Sequence, residues 1–160
     1  LNGKTIMELV DFITPESIVL NLKATSKKLV LEELAKHAAP LAGLHERVIF
    51  DVLLERERLG TTGVGRSVAI PHGKLPDLKK LYGMFARLNK PVNFDSVDDQ
   101  PVDIIFLLLA PESAGADHLK ALARVSRLLR DTGRCERLRT AKDGKGIYRT
   151  LTEMPATNAA

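Results

Sequence analysis

The run VDIIFLLLA, residues 102–110, constrains this chain more than any other stretch. From Ile104 to Ala110 every residue is apolar. A strand with one wet face alternates apolar and polar side chains, so a near-continuous run is expected of a strand buried on both faces. The run is the longest of its kind here and falls well short of the roughly 18 residues of a membrane span. No membrane insertion is expected. Helices and strands alternate along the chain, which favours an α/β class. At 160 residues, 44% apolar and 28% charged, the composition suits one globular domain with a real core. We assign that domain to residues 1–152 and read 153–160 as a frayed tail.

The order of elements follows from periodicity and breakers. Residues 6–13 are short and mixed, and Thr14-Pro15 ends them. Ser17 to Leu22 reads as an edge strand. Thr25 or Ser26 caps a helix to about His37, with Pro40 and Gly43 marking the turn. A second helix runs from about Leu44 to Leu59 and stops at Gly60. A glycine loop and a short strand, Val68 to Ile70, come next. Leu81 to Leu88 reads as a strand and Pro91 to Pro101 as a loop. An amphipathic helix follows from about Asp117 to Arg130. Gly133 interrupts, and one or two short helices close the domain.

The stretch with the densest chemical signal is LGTTGVGRSVAIPHGK, residues 59–74. Gly60, Gly63 and Gly65 allow backbone N–H groups to converge on an anion. The order is not that of a nucleotide P-loop or a Rossmann turn. Ser67 lacks the G-x-S-x-G context of a hydrolase elbow. His72, between Pro71 and Gly73, is held stiffly just past this loop. At 100° per residue, Val48, Ile49, Val52, Leu53 and Leu59 share an arc of about 140°, and Arg56 falls near its middle. Such an arginine serves an anion, a carbonyl or a pocket, or else it snorkels or pairs with a carboxylate. In the later helix His118 lies at the first turn, on the side of Leu122, Val125 and Leu129. It points either into a site at the carboxyl end of the buried strand or into a satisfied, half-buried position. No ligand spacing for zinc occurs, and no metal or other cofactor is expected. Two histidines, an inward arginine and an N–H cradle suit phosphoryl transfer to a neutral imidazole.

Charge and cysteine bound the setting. The net charge is +4, and it is local: Lys120, Arg124, Arg127, Arg130, Arg134, Arg137 and Arg139 stand against Asp131 and Glu136. A solvated outer face, a docking face for an acidic protein and a nucleic-acid surface are the three readings, in that order. With two tyrosines and no tryptophan, base stacking has little to work with, and no nucleic-acid partner is expected. The single cysteine, Cys135, excludes an internal disulfide and fits a reducing cytoplasm. No signal peptide pattern opens the sequence.

The segment RERLGTTGVGRSVAIPHGK closely resembles the phosphohistidine segment of enzyme IIA proteins of the phosphoenolpyruvate-dependent phosphotransferase system. PVNFDSVDDQPVDIIFLLLAPE and DHLKALARVSRLLRD resemble the same family: the fructose/mannitol type and, within it, the nitrogen-regulatory branch. The resemblance covers roughly Ile13 to Leu151. It implies a mixed central sheet flanked by helices on both faces. It implies acceptance of a phosphoryl group from a small phosphohistidine carrier protein, with His72 as the acceptor through Nε2. It implies that His118 is the second active-site histidine, that Arg56 is the active-site arginine, and that Ser67 lies in the phosphate loop. Gly63, Gly65, Arg66 and Ser67 together form the expected phosphate-binding loop. Arg66 departs from the family, where mannitol-type members carry glutamate and nitrogen-type members a small polar residue. The branch implies signalling by phosphorylation state to targets such as potassium-transport proteins and sensor kinases. A sugar-specific component that passes phosphoryl to a IIB domain, and a docking regulator without phosphotransfer, are the alternatives.

Overall fold

The structure is a computed structural model and describes residues 7–153. Of the expected tail, all but Glu153 lies outside the described residues. A six-stranded mixed sheet is built from β1 (Ile18–Leu22), β2 (Gly63–Gly65), β3 (Val68–Ala69), β4 (His72–Leu75), β5 (Tyr82–Val92) and β6 (Val102–Pro111). The order across it is β1-β5-β6-β3-β2, with β4 also paired to β6. β1 lies parallel to β5, β5 antiparallel to β6, and both β3 and β4 parallel to β6. β1 is at an edge, as its short half-buried pattern implies.

β6 sorts its side chains to two cores by simple alternation. Ile105, Leu107 and Leu109 enter one core and Ile104, Phe106 and Leu108 the other, while Val102, beyond the register shift against β5, joins the first core out of phase. The first core is covered by α1 (Lys27–Ala42) and α2 (Glu46–Arg58). The second is covered by α3 (Ala116–Leu128), α4 (Thr132–Thr140) and α5 (Gly144–Thr152). Helices on both faces are what an apolar central strand requires.

Several boundaries differ from the sequence reading. α1 starts as expected, with Ser26 Oγ accepting from Leu29 N–H at 3.2 Å. It then passes Pro40 and ends at Gly43, whose φ of 70° supplies the left-handed cap. Pro40 sits in the last turn, where a missing N–H costs one bond near an end that has unpaired carbonyls anyway. β5 extends through Pro91 because its register against β6 shifts between Arg87 and Val92, and a bulge is where a strand tolerates proline. The expected loop at Pro91–Pro101 is therefore shorter. Gly133 does not interrupt; it lies in the first turn of α4. On α2 the buried stripe is Ile49, Phe50, Leu53 and Glu57, while Val48 and Leu59 are exposed at 46% and 82%. Leu59 caps the helix end instead of packing on it.

The basic stripe is not a uniform solvated face. Arg124 Nε donates to the Met7 carbonyl at 2.9 Å, and Arg139 Nε reaches Asp103 Oδ2 at 2.9 Å. Arg137 pairs with Glu153 at 3.1 Å, and Arg134 is buried. Arg87, which the periodicity does not single out, donates Nη1 to the carbonyls of Leu138, Arg139 and Ala141 at 2.8 to 3.1 Å. It thereby satisfies the last carbonyls of α4, a favourable place for a cation.

One glycine holds α2 against the sheet. A Cβ on Gly73 would lie 2.5 Å from Val52 Cγ1, and a β-branched side chain cannot swing clear. Gly73→Ala should destabilise the protein by about 1–3 kcal/mol in urea unfolding, as overpacking does. Val52→Ala in the same chain should recover part of that loss, because the two sites are in contact.

Candidate active site

Pro71 has no N–H to give to a sheet and separates β3 from β4. The chain resumes pairing at His72, opposite Leu108 of β6. His72 is thus the first residue of a strand and not a loop residue. Its Nδ1 lies 2.8 Å from the Ile70 carbonyl. A carbonyl only accepts, so Nδ1 carries the proton and Nε2 keeps its lone pair. Arg56 Nε donates to that Nε2 at 3.3 Å, and Arg56 Nη1 donates to the Gly60 carbonyl at 2.9 Å. Arg56 lies one turn beyond Val52, so the close approach that Gly73 permits is what brings the guanidinium to the imidazole.

Arg56 is half-buried and stands at the flank of the α2 stripe, not at its centre. Its neighbour Glu57 lies within the stripe and is 7% exposed. Glu57 accepts from Thr62 N–H at 2.7 Å, from Thr62 Oγ1 at 2.5 Å and from Lys27 Nζ at 2.9 Å. A buried carboxylate with three donors is a satisfied one, and here it fixes the turn whose Gly60 carbonyl orients Arg56. Sequence reasoning missed Glu57. An acid beside the inward arginine, on the same helical stripe as Leu53, was the available signal.

β6 delivers the second histidine. It ends at Pro111, and Gly115, at φ 56°, turns the chain into α3. His118 is 8% exposed, on the same face as Ala121, Val125 and Leu129. Its ring centroid lies 5.7 Å from that of His72. His118 Nε2 is buried without a hydrogen-bond partner among the described residues. Lys74, two residues after His72 on the same face of β4, adds positive charge near His118. That lysine was legible from strand alternation and was not singled out.

Burial pushes the His72 pKa below the ordinary 6.5, and the Arg56 charge pushes it further; the bond to Ile70 opposes this. His118 is also lowered, by burial first and then by the charges of His72 and Lys74. Both imidazoles are therefore neutral at pH 7, and a proton on either would face a cation already in place.

The glycine loop lies elsewhere. β2 and β3 form a hairpin whose two turn residues, Arg66 and Ser67, have φ of 56° and 65°, the signature of a type I′ turn. The Ser67 carbonyl accepts from Asp103 and Ile104 at the start of β6. His72 pairs five residues further along, roughly 16 Å away at strand spacing. The N–H groups there are also engaged: Gly63 N–H donates to Thr61 Oγ1 and Arg66 N–H to Asp98 Oδ2. Gly65 packs against Asp98. His72, His118 and Arg56 come together; Gly63, Gly65, Arg66 and Ser67 do not join them. The helix that carries His118 begins without a side-chain cap on its first-turn N–H groups. Among the described residues no group of three His, Cys, Asp or Glu could hold a metal, and no helix is long and apolar enough to cross a membrane.

The lowered pKa values have a consequence for stability. A group whose folded pKa lies below its unfolded pKa takes up protons on unfolding. Its contribution is full above about pH 6.5 and is lost as pH falls through the folded value. Replacing both histidines by glutamine should therefore make stability less sensitive to pH between 7.5 and 5.5. Urea midpoints of the double variant and the parent at those two values check this, and equal slopes would refute it.

Residues 11–154 match the family model described as phosphoenolpyruvate-dependent sugar phosphotransferase system, EIIA 2. A protein named nitrogen regulatory protein from Bradyrhizobium diazoefficiens is 58% identical over 153 residues, which are 96% of this chain and 100% of that one. The crystal structure of nitrogen regulatory protein IIA-Ntr from Neisseria meningitidis superposes with a TM-score of 0.86 at 35% identity, over 90% of this chain and 99% of that one. IIA mannitol from Escherichia coli shares the fold, with a TM-score of 0.74 at 22% identity, over 86% and 97% of the two chains. The chain therefore belongs to the EIIA 2 family of the phosphoenolpyruvate-dependent sugar phosphotransferase system, within its nitrogen regulatory branch.

Proposed function

We propose that the protein accepts a phosphoryl group on Nε2 of His72 from the phosphohistidine of a nitrogen-type carrier protein and signals through its phosphorylation state. The observation that carries the reading is the pair of hydrogen bonds on His72: Nδ1–H to Ile70 and Arg56 Nε–H to Nε2. The first leaves Nε2 as the nucleophile. The second places a guanidinium at the atom that attacks.

In the transfer, the lone pair of Nε2 forms the new P–N bond in line with the breaking P–N bond of the donor, whose imidazole nitrogen takes back its electron pair. Arg56 releases Nε2 and turns its fork to the phosphoryl oxygens, a bidentate geometry that guanidinium favours. His118 Nε2, unpartnered before the reaction, gains an acceptor. The phosphoryl charge draws a proton onto His118, whose pKa the free site holds down. The first-turn N–H groups of α3 add a positive dipole end. Both ends of the reaction are phosphohistidines, so the transfer is close to reversible. It uses no nucleotide or metal in the site.

Exposed apolar residues border the site and favour protein docking on it. Leu119, 67% exposed, follows His118, and Leu59 ends the helix of Arg56. A phosphoryl group adds roughly two negative charges among these residues, which would separate the states that a target can read. Potassium-transport proteins and sensor kinases are the target classes implied by the branch. The names of the most similar relatives favour this over a sugar-specific role.

Incubation with phosphoenolpyruvate, the first enzyme of the phosphotransferase system and the nitrogen-type carrier should add one acid-labile phosphoryl group by intact mass. His72→Ala should not be labelled, and labelling of that variant would overturn the assignment. Arg56→Ala should slow labelling by about 10²-fold, the scale on which losing one preorganised donor to a developing charge acts.

A further inference from the structure

The second core leaves a cavity that phosphotransfer does not use. It measures about 160 Å³ and lies among the N-terminal segment, α3, α4 and α5. Leu9, Leu128 and Leu151 give it an apolar wall, and Arg124, Arg127 and Arg134 face it with charge. His118 and Arg127 are nine residues apart on α3, roughly 13 Å along the axis, so the cavity is distinct from the His72 site.

Three arginines and three carboxylates line it, so the formal charges balance, but the pairing among them is uneven. Three carboxylates line the same space, and each is engaged. Glu8 faces Arg124 at 3.7 Å, Glu153 holds Arg137 at 3.1 Å, and Asp131 Oδ1 accepts from the backbone N–H of Arg134 at the start of α4. The side chains of Arg127 and Arg134 have no hydrogen bond or ion pair among the described residues. Arg134 is only 9% exposed, and its Nε is fully buried with no acceptor. A guanidinium stays charged at any physiological pH. Its Nε–H is buried with no acceptor, a cost that an anion reaching the guanidinium from the cavity would offset.

We propose that this cavity binds a small carboxylate anion, with Arg134 and Arg127 on the carboxylate and the leucines on a short alkyl body. Guanidinium matches carboxylate in a planar fork, and the volume is that of roughly five waters. The apolar wall selects a carbon skeleton over a bare oxyanion. The inference does not rest on the phosphotransfer reading.

The test is a titration of the full chain, labelled with ¹⁵N, with sodium succinate and separately with inorganic phosphate, at ionic strength held constant with sodium chloride. Succinate should shift the Arg134 Nε–H signal and the amides of Leu128 and Leu151 saturably, and should raise Tm with the logarithm of its concentration. Arg134→Met should weaken binding by about tenfold or more. The same variant should be at least as stable as the parent without succinate, because it removes a buried N–H that has no acceptor. Loss of stability without any change in succinate affinity would mark Arg134 as merely structural and overturn the site. Absence of saturable shifts would overturn it too. Phosphate binding as tightly as succinate would overturn the carboxylate assignment. If Arg134→Met does not fold, Arg127→Gln carries the same comparison.

Discussion

Strand β6 feeds two cores with its side chains and carries hydrogen bonds on both edges, and every part of the site is indexed to it. Its partner on one edge is β5. On the other edge β3 and β4 follow one another along the same track, Val68 opposite Ile104 and His72 opposite Leu108. Its far end turns directly into the helix of His118. Burial on both faces locks the register, because a slip of one residue would send the six large apolar side chains from Ile104 to Leu109 to the wrong core. The spacing of the two histidines is therefore inherited from strand pairing and not from loop conformation.

Pro71 and Gly73 then have separate physical jobs on either side of His72. Proline interrupts the ladder, and the Ile70 carbonyl before it holds Nδ1–H. Glycine removes the one side chain that would keep α2, and so Arg56, away from the sheet. A three-residue motif thus fixes both the tautomer of the imidazole and the approach of its cation. Burial and that cation keep the ring neutral, which is the state that can attack.

The arginines show how charge is apportioned in a small α/β domain. Arg87 and Arg139 tie α4 to the sheet, and Arg124 ties α3 to the N-terminal segment. Arg56 shares its donors between a carbonyl and the imidazole. Arg127 and Arg134 lack such partners and face the same cavity. A count of basic residues would treat all of these alike.

The sequence by itself determined the architecture and much of the site. The apolar run at 104–110 required cover on both faces, and helical periodicity turned Arg56 and His118 towards the sheet, since both follow from short-range spacing. Element ends were less legible: Pro40 and Pro91 read as breakers, yet a helix end and a strand bulge absorb them. The glycine loop was misread for a deeper reason. Glycine spacing reports local freedom of the backbone, but the anchoring of that loop to Asp98 and Ser96, and its 16 Å offset from His72 at strand spacing, come from pairing with residues 30 or more positions away. The burial of Glu57 and Arg134 likewise depends on what packs over them. Only the tertiary structure decided which donors were already spent and which polar groups were left to act.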